Sequence, residues 1–496
     1  MLFLLFLQTA LAGSVTATVE VSAEGLRVVD AVHVERPALA LPGLEIAVTD
    51  ATGNWVRTAG FQDPRFRSVS HPPGEGPGGQ TTFLERSLIR VDIPWTAGDS
   101  AVATTLGSFT PRRWAAPPTD ERAVLIHGND NPAERLDLVI FADGYTELEL
   151  GQFATDADRV VTALFETEPW SRYTSLVNIW RVDRASEQSG AGTGEGLEGS
   201  AYACHYSCNG LERLVCCDEE LLLSEINTLL PEAEGALVLV NDPRYGGSGG
   251  ANYAATTSRH SESRSVALHE LGHTLVGLWD EYSYGVPGDP AFDGEGPNCS
   301  SSDENVPWTA WETEADVDRF LGCSYTNYYR PTDHSCMMYS LQDQYCHICR
   351  QEAIFATYAR TPGLVSSISP APQEPLDVDR DGRVTFTVES IGPEEGLAYD
   401  WYIGDERVAQ DTLSPDLSCL PRGADLTLRA YDKTPWVRDD PYGLTWNLLG
   451  PWTVPATPQC SDGCGCAGIP RTGVGVLWPL GLGLLFLRRR NKQCGD

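Results

Sequence analysis

The chain has 496 residues, of which 21% are charged, and its formal net charge is −34. A chain of this length is too long for one hydrophobic core, so we expect about three domains. The negative charge argues against nucleic acid as a partner, because nothing would neutralise the phosphates, and it suits a protein that works outside the cell. Fourteen cysteines indicate an oxidising compartment and disulfide bonds.

Both ends of the chain predict export to the cell envelope or cell surface. Residues 1–12 form an apolar run that ends in Ala-Leu-Ala, which predicts a signal peptide with its cleavage site. Residues 459–496 contain Cys-Gly-Cys, an apolar stretch over 473–487 and then three arginines. This arrangement predicts a membrane anchor with its basic end in the cytoplasm. It resembles the C-terminal sorting tails of myxobacterial surface proteins, which implies an anchor that is transient if the tail is processed.

Two segments flank the centre of the chain and have the pattern of β-sheet domains. In residues 13–115 and 366–458, short runs of alternating apolar and polar residues are separated by clusters of proline and glycine. Residues 88–93 and 426–431 are examples of the predicted strands. The pattern predicts a β-sandwich in the first segment and an immunoglobulin-like β domain in the second.

The central segment, residues 120–365, mixes strands and helices, and we expect an α+β domain there. Thr146 and Glu149 have the spacing of a capping box, which predicts a helix that continues to about Glu166. An apolar strand is predicted over 236–240, and a helix is predicted over 264–276. Ser263 is a candidate N-cap for that second helix.

The second helix carries the most informative motif in the chain, His269-Glu270-Leu271-Gly272-His273. The H-E-x-x-H spacing brings two imidazoles one turn apart on one helix face, where both can bind a single Zn²⁺. Glu270 lies beside that metal and can take a proton from water. Gly277 stands where a left-handed cap would end the helix.

A third protein ligand leaves one zinc position open for water, and Asp280 is our choice. The metzincin pattern H-E-x-x-H-x-x-G-x-x-H is similar but not matched, because the glycine and the third ligand are each displaced by one residue. Glu281 is the nearest competitor. Alternatively, the third ligand could be a glutamate distant in the chain, as in thermolysin, and Glu304 and Glu312 are candidates.

Two further groups of residues follow the helix. Met337 and Met338 resemble the methionine turn that lies beneath the zinc in metzincins, although methionine also serves as core filler. Cys346-His347-Ile348-Cys349 has the spacing of half a zinc site, but disulfides with Cys323 or Cys336 are the safer interpretation in an exported chain. Upstream, a local disulfide knot is predicted among Cys204, Cys208, Cys216 and Cys217, without a deducible pairing.

Several of these segments together resemble the M64 family of metallopeptidases, the IgA-peptidase family. The resembling stretches are 136–146, 178–182, 238–250, 271–282, the methionine pair and 345–353. The resemblance covers roughly residues 120–360 and implies a metzincin-like fold with Zn²⁺ as cofactor. It also implies that the strand before the zinc helix edges the cleft. An extended substrate would then add to that strand by β-augmentation, at Val238, Val240 and Tyr245.

The leading hypothesis is an exported zinc-dependent endopeptidase that hydrolyses extracellular or envelope proteins, with Tyr339 or Tyr282 as candidate oxyanion donors. A zinc amidase acting on cell-wall peptides would use the same chemistry. The alternative from another class is a non-catalytic envelope-anchored binding or adhesion protein that retains a metalloprotease scaffold. The presence of Glu270 argues against that alternative.

Overall fold

The computed structural model describes residues 14–34, 44–61, 63–70, 79–113, 122–129, 135–290, 294–361, 363–393, 395–418, 420–441 and 443–455. The predicted signal peptide (1–12) and the predicted tail (459–496) lie outside the described residues. Most regular structure in the described residues is β-sheet, with a few helices in the central segment. No helix in this part of the chain has the length and hydrophobicity needed to span a bilayer.

The first described segment is entirely β-structure. Its two four-stranded sheets have the orders β10-β2-β1-β7 and β4-β3-β8-β9, and β5 and β6 form a separate hairpin. Alternate residues of both sheets, such as Val19, Val48 and Val91, enter one shared apolar core. This arrangement is compatible with the predicted β-rich domain. The strands are β1 (Ser14–Ser22), β2 (Gly25–Val34), β3 (Leu44–Asp50), β4 (Trp55–Phe61), β5 (Phe66–Ser70), β6 (Gly79–Phe83), β7 (Arg86–Pro94), β8 (Asp99–Thr104), β9 (Gly107–Phe109) and β10 (Arg112–Arg113).

The central segment is built on a six-stranded sheet of order β11-β13-β12-β16-β18-β17. Its inner pairs are parallel and its two outermost pairs are antiparallel. β12 and β16 are buried along their whole length and mostly apolar, because helices and loops cover both faces of the sheet. The strands of this segment are β11 (Ala123–His127), β12 (Leu136–Asp143), β13 (Val177–Val182), β14 (Gly192–Thr193), β15 (His205–Tyr206), β16 (Gly235–Val240), β17 (Gly247–Ser248), β18 (Ala254–Thr257), β19 (Val317–Cys323) and β20 (Tyr325–Thr332).

The helices of the central segment pack on both faces of this sheet. The predicted capping box of Thr146 and Glu149 is present and opens a 3₁₀ turn that leads into the first helix. The apolar faces of the first and third helices share one core, and the second helix contributes to the core on the other face. The helices are α1 (Leu150–Phe165), α2 (Glu219–Leu229), α3 (Ser263–Leu271) and α4 (His347–Tyr358).

Short helical turns complete the segment. A π-helical turn, Gly272–Val276, continues α3 without a break. Single 3₁₀ turns occur at Glu147–Glu149, Thr174–Leu176, Cys208–Gly210 and Thr309–Trp311.

The last described segment is again β-structure, compatible with the second predicted β-rich domain. A four-stranded sheet of order β24-β23-β25-β26 packs with a two-stranded sheet of β21 and β22 around Trp401 and Trp452. The strands are β21 (Val365–Ser369), β22 (Thr387–Ser390), β23 (Leu397–Ile403), β24 (Glu406–Ala409), β25 (Asp425–Asp432) and β26 (Trp446–Thr453).

Polar contacts join the three segments. Arg67 of strand β5 is only 2% exposed and pairs with Glu219 at the start of α2. The Glu219 carboxylate also accepts a hydrogen bond from the backbone N–H of Leu88 at 2.8 Å. On the other side, Tyr173 and Tyr358 both donate to the Asp432 carboxylate, at 2.7 and 2.8 Å. The central segment is therefore held between the two β-rich segments.

The cysteines follow the sequence prediction in one place and depart from it in another. The local knot is confirmed, with disulfides Cys204–Cys217 and Cys208–Cys216. The prediction that Cys346 or Cys349 pairs with Cys323 or Cys336 is wrong. Cys323 is bonded to Cys299, and Cys336, Cys346 and Cys349 are buried free thiols. Sequence spacing could not reveal this, because β19 brings Cys323 to Cys299 by tertiary packing.

Candidate active site

Helix α3 and its π-helical continuation carry the H-E-x-x-H motif. The helical segment spans residues 263–276, close to the predicted 264–276, and Gly277 ends it in the left-handed conformation at φ 76°. Only a residue without Cβ adopts this cap without strain, and the reversal of the chain there leads directly to residue 280. The backbone of Glu262, rather than Ser263, occupies the N-cap position.

Three side chains meet at the end of this helix. The Nε2 atoms of His269 and His273 are 3.2 Å apart, and Oδ1 of Asp280 lies 3.0 Å from the first and 3.3 Å from the second. Asp280 is fully buried and His269 is 2% exposed. These three ligand atoms form a group that can hold a metal ion.

Backbone carbonyls orient both imidazoles. Nδ1 of His269 lies 3.0 Å from the carbonyl oxygen of Met337, and Nδ1 of His273 lies 2.6 Å from that of Leu278. A histidine that donates its Nδ1–H to a carbonyl keeps Nε2 unprotonated and free to bind a metal. Met337 therefore contributes to the site by orienting His269 with its backbone carbonyl.

Asp280 is held by a residue that the sequence analysis did not single out. The hydroxyl of Tyr284 donates to Oδ2 of Asp280 at 2.6 Å, which leaves Oδ1 facing the histidines. Burial alone would raise the pKa of Asp280, but the charge of His273 and hydrogen bonds from both histidines hold it far below its ordinary value. Burial likewise opposes the charge on His273, yet Asp280 raises the pKa of His273 to about 9. In the metal-free protein, Asp280 is an anion that holds His273 protonated.

Glu270 stands apart from this network. Its side chain is 1% exposed, and neither carboxylate oxygen has a hydrogen-bond partner among the described residues. Burial raises the pKa of Glu270 to about 7, although the neighbouring histidines act in the opposite direction. Burial of a carboxylate without a hydrogen-bond partner costs free energy, which a purely structural role does not explain. The two carboxylate oxygens of Glu270 are therefore available to a molecule that enters the site.

The glycine-rich segment after β16 passes directly over Glu270. A Cβ added at Gly249 would lie 2.8 Å from Oε2 of Glu270 and 2.8 Å from Cβ of His273. Gly249 is thus required for space. Its role was not predicted, although its place in the run Gly246-Gly247-Ser248-Gly249-Gly250 was a signal for close backbone approach.

The strand predicted to form the edge of the cleft, β16, is an inner strand of the sheet. Val238 and Val240 are fully buried in β16, which pairs with β12 on one side and β18 on the other. A strand with two partners has no free edge for an added peptide. The edge strand β17 lies close to Glu270, since a Cβ added at Gly247 would be 3.5 Å from Oε1 of Glu270. Tyr245 lies half-buried just before β17, against His260.

The remaining predicted residues are placed as follows. Sδ of Met338 lies close to Gly272, where an added Cβ would approach it to 2.9 Å, so Met338 packs against the helix. Met337 is buried in the same apolar core. Tyr282 is 2% exposed, which does not favour contact with a substrate. Tyr339 is half-buried and packs against His334 with ring centroids 4.3 Å apart.

None of the rival third ligands joins the histidines. Glu281, adjacent to Asp280, points to a separate cluster of cysteines. Glu312 pairs with Arg319 at 2.6 Å, and Glu304 is exposed. Asp280 is therefore the carboxylate that the fold brings to His269 and His273.

We expect Tyr284→Phe to weaken metal binding while the fold is retained. The ring stays in place, but Oδ2 of Asp280 loses its donor, and loss of such an outer hydrogen bond costs roughly 10- to 100-fold in metal affinity. Chelator competition at fixed pH measures this. Tyr402→Phe, in β23, is the control, and equal affinity of Tyr284→Phe and parent would contradict the assigned role.

We expect Gly249→Ala to lower kcat/KM by about 10²-fold, because the new methyl group displaces Glu270 or His273 and small displacements of reacting groups have effects of this size. The control is Gly151→Ala in α1, where an added Cβ meets nothing within 4 Å. That control should be neutral or slightly stabilising. Assays of catalytic activity and thermal unfolding of both variants test the expectation, which fails if Gly249→Ala retains parental activity.

Two histidines, one aspartate and an unpaired glutamate on an H-E-x-x-H helix define the kind of site found in metallopeptidases. The family model described as IgA Peptidase M64 matches residues 124–309, which include this whole constellation but end before the methionine pair. The match supports that family for this region and suggests a peptidase that acts on proteins or peptides. No curated protein matches the chain.

Proposed function

We propose that the protein is a zinc-dependent endopeptidase. The observation that carries the proposal is the pairing of a three-ligand group with a buried carboxylate that has no hydrogen-bond partner in the part of the chain that the structure describes. Donor atoms about 2.0 Å from a tetrahedral metal are about 3.3 Å apart, and the three contacts of 3.0, 3.2 and 3.3 Å fit this requirement. Two imidazoles and one carboxylate are the donors that catalytic zinc takes, with a fourth position left open.

Each residue then has a definite role. His269, His273 and Asp280 would hold the zinc. The Met337 and Leu278 carbonyls accept from Nδ1 of the two imidazoles, so that each Nε2 faces the metal position. Bound zinc supplies Lewis acidity to the scissile carbonyl and lowers the pKa of water. Glu270 accepts the proton of the attacking water on one of its free oxygens and passes it to the leaving amine.

The finer parts of the proposal rest on the sequence. The apolar first residues and the Cys-Gly-Cys tail support an exported, envelope-associated protein, and extracellular or envelope proteins are the proposed substrates. A metzincin-like fold is supported by Met338, which packs against Gly272 of the helix that carries the motif. Tyr339 is the proposed hydrogen-bond donor to the reacting carbonyl, because it lies close to that pair along the chain and is half-buried.

Incubation of the purified chain with a diverse peptide library, read by mass spectrometry, tests this proposal. We expect cleavage at internal peptide bonds that a chelator stops and added zinc restores. Cleavage that is insensitive to the chelator would overturn the zinc mechanism. Zinc bound at the site without any cleavage would favour the non-catalytic binding protein, and activity restricted to cell-wall peptides would favour the amidase.

A further inference from the structure

Three thiols and a carboxylate lie together just behind the candidate active site. This cysteine cluster consists of Glu281, Cys336, Cys346 and Cys349, and every member is at most 5% exposed. The Sγ atoms of Cys336 and Cys349 are 3.7 Å apart. Oε1 of Glu281 lies 3.3 Å from Sγ of Cys349 and 3.8 Å from Sγ of Cys346. All four ligand atoms lie within 4.8 Å of one another.

Disulfide chemistry does not account for the cluster. Six cysteines elsewhere in the described residues are paired in three disulfides, but these three are free. A separation of 3.7 Å is far beyond the roughly 2.0 Å of an S–S bond. Three thiols can form only one disulfide among themselves and would leave one thiol and a buried carboxyl group beside it.

The distances are those of a closed tetrahedral metal site. With zinc–sulfur bonds of about 2.3 Å and a zinc–oxygen bond of about 2.0 Å, sulfurs are about 3.8 Å apart and sulfur and oxygen about 3.5 Å apart. The observed 3.7, 3.3 and 3.8 Å scatter around these values. Four protein ligands with no exposed position are typical of structural rather than catalytic zinc.

The surroundings stabilise the negative charge that such a site carries. Nδ2 of Asn298 and Oγ1 of Thr332 donate to the Glu281 carboxylate at 3.2 and 3.3 Å. The backbone N–H of Cys346 donates to Sγ of Cys336 at 3.4 Å. Cys346 is also the N-cap of α4, so its sulfur lies at the positive end of a helix dipole.

From these contacts we infer that Glu281, Cys336, Cys346 and Cys349 bind a second, structural zinc ion. Binding would displace the thiol protons into solvent, because zinc takes cysteine as thiolate. The ion would join three segments: the loop of Asp280, the methionine turn and α4. Glu281 follows Asp280, Cys336 precedes Met337, and the N–H of Glu281 already donates to the Met338 carbonyl at 2.8 Å. The second zinc would therefore hold in place the third ligand of the first site and the carbonyl that orients His269.

Metal content of the purified full chain tests this inference, with cobalt substitution as an independent readout. We expect two zinc ions per chain in native mass spectrometry, and a thiolate-to-cobalt charge-transfer band when cobalt replaces them. The double variant His269→Ala/His273→Ala should lose one ion and keep the band. The double variant Cys346→Ser/Cys349→Ser should lose the band and one ion.

The parent protein alone can refute the inference, so it does not depend on whether the cysteine variants fold. One zinc per chain with no charge-transfer band would overturn it, as would a Cys336–Cys349 disulfide found by peptide mapping. The histidine variant separates this outcome from failure of the proposed function. If the charge-transfer band persists in the His269→Ala/His273→Ala variant and the parent has no peptidase activity, the second zinc site is supported and the proposed peptidase function is rejected.

Discussion

Glu270→Gln should reduce peptide cleavage by about 10²- to 10⁴-fold, the range expected for loss of a general base. The amide keeps the shape of the side chain but cannot accept the proton of the attacking water. Because Glu270 is not one of the three ligand atoms, the variant should retain its metal. Steady-state kinetics on a cleaved library peptide, together with metal content, measure both expectations.

Glu262→Gln is the matched control, since it makes the same chemical change at the N-cap of the same helix. It should leave kcat/KM within a few fold of the parent. Activity of Glu270→Gln within a few fold of the parent would reject the assignment of the base. Loss of metal from that variant would instead indicate that Glu270 is a ligand.

The substitution Glu270→Gln should not destabilise the metal-free fold. The pKa of Glu270 rises from an ordinary value of 4.5 to about 7 in the folded chain. Its ionisation therefore opposes folding, and this unfavourable contribution grows as the pH rises from about 4.5 to about 7. With chelator present at pH 8, Glu270→Gln should have a Tm at least equal to that of the parent. A lower Tm would mean that Glu270 has a structural role.

Asp280→Asn should lower metal affinity by more than the roughly 100-fold expected for loss of an outer hydrogen bond. The change removes the charge that holds His273 protonated in the metal-free protein and that would bind the metal directly. Activity at limiting zinc should fall in parallel. Isothermal titration and chelator competition give the affinity.

Glu281→Gln, at the neighbouring position, is the discriminating control. The two side chains belong to different groups of ligand atoms, so Asp280→Asn should deplete the histidine site and Glu281→Gln the cysteine cluster. The opposite result, in which Glu281→Gln releases the histidine-bound metal, would make Glu281 the third ligand.

Much of the candidate site could be predicted because it is local. The spacing of His269 and His273 brings both to one helix face in any fold that keeps the helix. The capping box at Thr146 and the left-handed Gly277 depend on a few consecutive residues, and both were found as predicted. The disulfide knot spans sequence separations of only 8 and 13 residues, which limits the partners within reach.

The family resemblance carried the prediction further than periodicity alone. It joined the helix motif to Met337 and Met338, some 60 residues beyond the helix, and the structure packs Met338 against Gly272. It also misled, because it implied that the strand before the helix edges the cleft. Apolar content indicates that Val238 and Val240 are buried, but it does not tell which neighbours a strand will have.

The sequence by itself therefore determined the helix that carries the H-E-x-x-H motif and the glycine cap that ends it, since helix periodicity and capping are properties of consecutive residues. Only the tertiary structure decided that Asp280 faces the histidines while Glu281 faces the cysteines, that Tyr284 holds Asp280, and that Gly249 passes over Glu270. The same holds for Cys323, which pairs with Cys299 and leaves three thiols free. The contacts of Glu281, Gly249 and Cys323 join segments distant in the chain, which burial and packing select and which no local pattern encodes. The contact of Tyr284 with Asp280 spans only four residues, but its geometry depends on how the loop after the helix is folded.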